Sequence, residues 1–525
     1  MRRRLYVLVV VALLAQLAFA MVTTAVQQTP TTDEPVYVGT AVVYLQQHSL
    51  RYNAEHPPLG KLIIGAGLAF AHPKLDPAFV GDHWALGHEV LYESGNDPGE
   101  LLLLARLPMI LLTLLFGLVV FAFARDLTGP AGGLVALTLY AFSPDVIAHG
   151  SLATLDVPAA GFLITSLWLA WRARRQPGRY LPLAALALGA ALATRMSVLP
   201  VVPVVLVLAF VALRRHGRPL GASVLAAAGT GIVAVAVVWV SYLVVDPALT
   251  WVPPVDLPAV HGLRALAADL VPFPRPYRDG MRIQFGLEDG TFGGFLFGRQ
   301  YLGHLWYYLP AALLVKTPLG ALALWLGGAA TMLASRRLRP AAAYVLLPAL
   351  ILLLVALPGA RDFGVRYVVI LPMLLPVAAA TLVTLRPRWT RGVTAALLAF
   401  AVVSSIRTFP YYLPYSNEAF GGPAKTYLRL HDSNVDWGQD LGRLADRLRE
   451  RYAGERLWLV YKGNGDPGYY GIVAGDPTAV APAEVHGVLA ISDDAIDKAD
   501  GRLKALIVTS TPVDEVGHSI TIFRR

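Results

Sequence analysis

The sequence predicts an α-helical multi-pass membrane protein of about eleven transmembrane helices, followed by a small C-terminal soluble α/β domain. Three observations predict it. The chain has 525 residues, of which 56% are hydrophobic and only 15% charged, with a mean hydropathy of +0.55; globular chains carry roughly 25% charged residues. Apolar runs of roughly 17–25 residues, long enough to cross a bilayer, recur along it. The Lys and Arg residues fall in short clusters on alternate connections, which is how membrane topology is written.

The apolar runs begin near Leu5, Leu101, Ala131, Val157, Leu181, Ser197, Leu220, Ala311, Ala341, Tyr367 and Val393. The first follows a basic start, Met1–Arg4, and ends near Ala18-Phe19-Ala20, which also fits a signal-peptidase site. Cleaved or not, the loop after it lies outside. The fifth and sixth runs meet at Thr194-Arg195-Met196-Ser197, a tight outer turn. Leu59–Ala71 is too short to cross and reads as a helix lying at the interface.

Arg2–Arg4, Arg125, Arg172/Arg174/Arg175/Arg179, Arg214/Arg215/Arg218, Arg336/Arg337/Arg339 and Arg386/Arg388/Arg391 belong on the cytoplasmic side. The protein is therefore expected in the cell (plasma) membrane, with its N-terminus cytoplasmic. Residues 1–408 form the transmembrane unit. Its long outer segments are a first loop, 25–100, and a second, 244–310. Residues 409–525 form the extracytoplasmic α/β domain. There, Asp436–Arg451 has helical spacing, with Leu441, Leu444 and Leu448 on one face. Leu457–Tyr461, Val488–Ile491, Leu503–Val508 and Ser519–Phe523 read as strands. Asn434, Asp436 and Asp440 suit the start of the helix, and Trp437 and Tyr469/Tyr470 read as packing residues.

A net charge of +9 could serve nucleic acid, but no basic stripe exists to carry it. There are no cysteines, so disulfide and thiolate chemistry is excluded. No Gly-rich phosphate loop is present for a nucleotide.

Charged side chains inside the apolar runs converge on one side. Arg106 lies about one turn inside the outer end of the second run, Asp156 opens the fourth, and Arg195 ends the fifth. Lys316 lies about one turn inside the eighth, and Arg366-Tyr367 opens the tenth. A charge in the bilayer costs on the order of 2.5–3.5 kcal/mol, which makes each a functional candidate; snorkelling to headgroups is the bland alternative. Cations at headgroup depth suit a lipid-borne phosphate or pyrophosphate, which Arg grips with two parallel hydrogen bonds.

The first loop supplies the acids. Asp33-Glu34, directly after the first run, is a candidate general base or an ordinary polar loop opening. In Glu55-His56-Pro57-Pro58-Leu59-Gly60-Lys61 the prolines stiffen the approach to the interface helix. Glu55 and His56 are placed to orient a substrate, or to ligate a divalent metal if one is used.

These pieces resemble the polyprenyl-phosphate-dependent glycosyltransferases of GT-C architecture, the relatives of protein O-mannosyltransferases and lipid A aminoarabinose transferase. The matching motifs are Asp33-Glu34, the 55–61 segment, Ala105-Arg106-Leu107-Pro108, Thr154-Leu155-Asp156, Ala193-Thr194-Arg195 and Leu314-Val315-Lys316-Thr317-Pro318. Arg366-Tyr367, Asp432-Ser433-Asn434-Val435-Asp436-Trp437-Gly438-Gln439-Asp440 and Asp466-Pro467-Gly468-Tyr469-Tyr470-Gly471 fit a bacterial branch. The resemblance implies transfer of a sugar from a polyprenyl-phosphate donor to an acceptor protein, lipid or cell-envelope glycan on the outer face, with inversion. It implies that Asp33, with Glu34 beside it, is catalytic. It implies that Arg106, Arg195, Lys316, Arg366, Tyr367 and Lys61 hold the donor phosphate and lipid, while Glu55, His56 and Asp156 position substrate. Arg195 stands where relatives often have Lys, and His56 where the aminoarabinose branch has Lys. No cofactor is certain; a divalent metal would fall on Glu55 and His56. The rival reading is a transporter or flippase of lipid-linked glycans, which would bind phosphate with the same cations but need access from both sides.

Overall fold

The computed structural model describes residues 3–253 and 256–525; Arg2, counted above among the cytoplasmic charges, lies outside the described residues. The protein is mostly helical. Its first helix, α1, runs Arg3–Gln27, and the first loop adds α2 (Glu34–Gln47) and α3 (Pro58–Leu68). A long α4 (Pro98–Thr128) is followed by α5 (Pro130–Ala141) and α6 (Pro144–Gly150), which meet at a 61° bend. Next come α7 (Asp156–Ala173), α8 (Pro177–Thr194), α9 (Val202–Arg214) and α10 (Leu220–Val245). The second loop carries α11 (Arg275–Glu288) and a hairpin of β1 (Gly293–Leu296) and β2 (Arg299–Leu302). The helices α12 (Tyr308–Lys316) and α13 (Leu319–Ala334) turn 117° on each other at Thr317-Pro318, because Pro318 cannot continue the hydrogen-bond ladder. Last in this part are α14 (Arg339–Ala356), α15 (Ile370–Ala379) and α16 (Arg388–Thr408).

Among the described residues, six helices are long and apolar enough to cross a membrane, or up to eight if each bent pair is one span. This is a multi-pass membrane protein. The interface segment predicted over 59–71 is the apolar α3, too short to span. At the predicted outer turn, α8 stops at Thr194, Arg195 is extended, and a short 3-10 turn, Met196–Val201, leads into α9.

After α16 the chain turns back. Tyr412, Leu413, Leu430, Val435 and Trp437 are buried in the same apolar core as the helices before them. Asn417 ties this return to α12 and the bend after it, its side chain donating to the carbonyls of Leu314 (2.7 Å) and Thr317 (2.9 Å). A separate core begins only at Leu441. There, α17 (Leu441–Arg451) buries Leu441 and Leu444, with Leu448 beside them, against a sheet of order β3-β4-β6-β5. β3 (Leu457–Val460) is parallel to β4 (Val488–Ser492), while β6 (Ile520–Arg524) is antiparallel to both β4 and β5 (Thr511–Val516). Alternation divides the sheet: Val488 and Ala490 face α17, while Leu489 and Ile491 pack with Leu506 on the other face.

Leu506 exposes one error of the sequence reading. The predicted strand Leu503–Val508 is a helix, α18 (Gly501–Val508). Leu503, Leu506 and Ile507 share one face at helical spacing and pack together on the sheet. The missing strand is β5, an exposed polar edge with Pro512 in it and no apolar alternation to announce it.

Candidate active site

The two acids at the start of α2 have opposite surroundings. Glu34 is fully buried. Its Oε1 accepts from Arg106 Nε (2.7 Å) and the Ala153 backbone N–H (2.8 Å), and its Oε2 from Arg106 Nη2 (2.6 Å) and the Thr31 backbone N–H (2.9 Å) and hydroxyl (3.0 Å). Burial pushes its carboxyl up, but Arg106 and these hydrogen bonds hold it below the usual carboxylate range. Glu34 has no room to act on a substrate, which corrects its expected catalytic role.

Arg106 is corrected with it. Its remaining N–H groups donate to the carbonyls of Ala25 (2.6 Å), Gln28 (2.9 Å) and Thr29 (3.1 Å). A guanidinium has five N–H donors, and all are engaged, so none is left for a phosphate. The pair instead welds the end of α1 to α2 and α4.

Lys316 and Lys61 are likewise buried clamps rather than phosphate ligands. Lys316 Nζ donates to the carbonyls of Leu413 (2.5 Å) and Asn434 (2.9 Å) and faces Asp145 at 3.8 Å. Lys61 Nζ donates to the carbonyls of Asn53 and His56, both at 2.8 Å, and to Asn53 Oδ1 at 3.1 Å. That fixes the turn carrying Glu55 and His56. Asp145, on α6, escaped the sequence reading because its run looked like one unbroken span.

Asp33 behaves differently. It precedes α2 yet makes no capping bond; its carboxylate accepts from Arg366 Nη1 at 2.5 Å, across 333 residues of chain. The Asp33 side chain is 20% exposed and that of Arg195 15%, whereas those of Glu34, Arg106 and Lys316 are at most 1% exposed. Arg195 pairs with Asp156 across the α7–α8 ends. Arg366 lies over the rings of Trp437 (4.3 Å) and Tyr367 (5.2 Å), and its Nε has no hydrogen-bond partner among the described residues. Tyr37, one turn into α2, feels the charges of Asp33, Arg195 and Arg366 together; its hydroxyl is held far above its ordinary value, first by burial.

Glu55 and His56 stand at the edge of this group. The His56 ring lies 6.0 Å from that of Tyr37. Burial, then the charges of Arg195 and Lys61, hold the imidazole well below its ordinary value, so His56 is neutral and cannot replace a lysine's charge. Glu55 accepts from Asn53 Nδ2 at 2.7 Å and stands 3.9 Å from His83. These donors do not close around a point. The group of three that could hold a metal among the described residues is His431, Asp432 and Asp494, in the tail. The α11 helix covers this edge: Gln284 donates to the Glu55 carbonyl (3.3 Å), and Arg361 Nη2 donates to Gln284 (2.9 Å) and Glu288 (2.5 Å). Arg361 was not foreseen, since Gly359–Asp362 reads as an ordinary polar connection.

The tail motif builds the back wall. The Trp437 carbonyl accepts the Thr32 N–H (2.9 Å), and Gln439 accepts that of Thr29 (3.0 Å), so Asp33 hangs from a strap pinned to the tail. Gly438 between them has φ 88°, and a Cβ there would lie 2.9 Å from Gly463 and Tyr461. Asn434 is no helix cap: its Nδ2 donates to Tyr308 (2.9 Å) and its Oδ1 accepts from Val365 N–H (3.1 Å), next to Arg366. Nor does Asp440 cap α17; it accepts from Ser519 at 2.7 Å and pairs with Arg443. Gly364, with φ 142° and 2.3 Å from a Cβ to Ser433 Oγ, lets the Arg366 turn close on this wall.

Residues 99–242 match the family model described as dolichyl-phosphate-mannose-protein mannosyltransferase. No curated protein matches the chain. Among solved structures, ArnT from Cupriavidus metallidurans bound to undecaprenyl phosphate is 13% identical, covering 98% of this chain and 97% of that one with a TM-score of 0.48. The oligosaccharyltransferase of Archaeoglobus fulgidus in its apo form is 15% identical, over 85% of this chain and 58% of that one, with a TM-score of 0.46. The family match runs from α4 into α10.

Proposed function

We propose that this protein transfers a sugar from a polyprenyl-phosphate donor to an acceptor protein, lipid or glycan, at the outer face of the membrane. One observation carries the reading: Asp33, Arg366 and Arg195 come from three distant parts of the chain, Asp33 pairs with Arg366, and the Asp33 and Arg195 side chains remain partly open. In the proposed reaction an acceptor hydroxyl or amine attacks the anomeric carbon. Asp33 takes its proton. The bond from the anomeric carbon to the phosphate oxygen breaks, and the lipid phosphate leaves with the electron pair. Arg366 and Arg195 face the charge that grows on it. A single displacement inverts the anomeric centre.

The Asp33–Arg366 ion pair gives this site an order of events. Arg366 occupies a carboxylate oxygen of Asp33 that would otherwise accept the proton. A donor phosphate competes for Arg366, frees the carboxylate, and so arms the base when substrate is present. The Trp437 and Tyr367 rings hold the guanidinium in place during the exchange. Glu55 and His56 do not form a closed ligand set, so the described residues that could hold a divalent metal are His431, Asp432 and Asp494.

The eleven-span topology follows if the two bent pairs each cross once and α7, α8 and the 370–384 segment cross with the six long helices. With the positive-inside bias, the site and the sheet-bearing tail, an α/β domain from about Leu441 onward, then lie outside. The transporter alternative is not favoured, since the family match is to transferases.

The test is incubation of the purified protein with a panel of polyprenyl-phosphate sugars, scored by release of lipid phosphate. Turnover with at least one donor, giving product of inverted configuration, is expected. Binding without turnover for all of them returns the transporter; net retention removes the single displacement.

A further inference from the structure

At the opposite ends of the same helices lies a second concentration of positive charge, and it has a shape. A cavity of about 690 Å³ is lined by Trp171, Arg172, Arg174, Arg175, Arg215 and Arg337. These come from the end of α7, the end of α9 and the turn between α13 and α14. Asp126, from the end of α4, is the acid in the lining. It lies 20 residues beyond Arg106 on one helix, or about 30 Å away at 1.5 Å per residue, so the cavity is distinct from the Asp33 site.

That acid is already engaged. Asp126 accepts from Arg172 Nε at 2.8 Å and from Trp168 Nε1 at 3.0 Å. Arg174, Arg175, Arg215 and Arg337 make no ion pair among the described residues. Arg174 lies over Trp171, 3.9 Å from the ring centre, and its Nε is buried with no hydrogen-bond partner among the described residues. Arg215 and Arg175 press like charge on it. Arg172 is set between Trp168 (4.9 Å) and Tyr180 (5.3 Å). The rings thus fix guanidinium planes that would otherwise sweep through solvent.

The positive-inside bias requires these arginines to share a side of the membrane. It does not require them to converge on one hollow, to stack on rings, or to leave a buried N–H unanswered. Like charges converge where an anion balances them. The hollow sits among helix ends at headgroup level, and basic pockets between transmembrane helices on this side suit phosphate headgroups.

We propose that this cavity is a binding site for a phosphate-bearing anion at the inner face, with the headgroup of an anionic phospholipid as the source its position favours. The same chemistry would accept a soluble pyrophosphate, and the test separates the two sources.

The full-length protein is reconstituted in nanodiscs of phosphatidylcholine alone or with phosphatidylglycerol or cardiolipin, and retained lipids are counted by native mass spectrometry. Thermal stability is read in parallel with inorganic pyrophosphate added. The variants are Arg174→Gln/Arg215→Gln and, as a charge-matched control off the cavity, Arg336→Gln/Arg388→Gln. Retention of anionic lipid by wild type and control, weakened about five-fold for each cavity arginine removed, supports the lipid source. Stabilisation by pyrophosphate in phosphatidylcholine discs, lost in the cavity variant alone, supports the soluble source. Arg174→Lys tests the fold: partial retention with an unchanged melting temperature is expected. Equal retention in all variants, or equal loss in cavity and control variants, overturns the proposal.

Discussion

Asp33 and Glu34 are neighbours in sequence, carry the same charge and begin the same helix, yet the protein uses them in opposite ways. Glu34 turns inward, meets Arg106 and has its oxygens filled by five hydrogen bonds. Asp33 turns toward Arg366 and keeps one face open. The cations divide along the same line. Arg106, Lys61 and Lys316 hold backbone carbonyls and tie distant segments together. Arg195 and Arg366 pair with one acid each and retain capacity for more. An ionised side chain at membrane depth is therefore not evidence of substrate contact until its donors have been counted.

The largest effect that would break or sharpen this comparison is on the Asp33 side. Asp33→Asn is expected to lower transfer by about 10²–10⁴-fold, the range of a general base, with an unchanged melting temperature. Near-native turnover would remove it from the reaction. On the other side, Glu34→Gln leaves Arg106 buried and without its ionic partner, at a cost of about 3–5 kcal/mol. The melting temperature in detergent should fall sharply, while activity per folded molecule stays within a few-fold. A stable but inactive Glu34→Gln enzyme would reverse the assignment of the two acids.

Smaller effects follow. Arg366→Lys keeps charge but loses the planar fork and its stacking on Trp437; a roughly ten-fold loss in kcat/KM is expected, and no loss would place the phosphate elsewhere. In the tail, burial pushes the Asp493 carboxyl up to about 7 and that of Asp497 up to about 9, with like charges adding at Asp497. Their folded values exceed the unfolded value near 4, so the folded state binds more protons between them. Their contribution to stability is present below about pH 4 and is lost as pH rises toward 9. Asp497→Asn should flatten that decline in a pH series of melting curves; an unaltered slope would discount the group. Asp494 works in the reverse sense, held low despite its burial by His431, Lys498 and Lys462. Trp437→Phe retains an aromatic face and should cost no more than a few-fold in activity.

Much of this was legible in the sequence because periodicity and charge bias are local signals. The long runs, the short apolar helix α3 and the strands β3, β4 and β6 follow from residue spacing alone. The Asp33–Arg366 contact was not legible, since Asp33 reads as a loop acid just beyond the first run and Arg366 as one of several charges inside the runs. What spacing cannot carry is the identity of a partner. Arg106 and Arg366 look alike on a chain, and only the carbonyls of Ala25, Gln28 and Thr29 distinguish them. Asn434 and Asp440 have the composition of caps and serve tertiary contacts instead. The helix α18 reads as a strand because an apolar run of this length fits either period, and the sheet packing decides.

The most direct test is the affinity of the purified protein for polyprenyl phosphate itself, measured for wild type, Asp33→Asn and Arg366→Gln. If a phosphate displaces Asp33 from Arg366, removing the competing charge tightens binding in Asp33→Asn while Arg366→Gln binds at least ten-fold more weakly. Unchanged or weaker binding in Asp33→Asn, together with wild-type affinity in Arg366→Gln, would contradict the exchange and the site built on it.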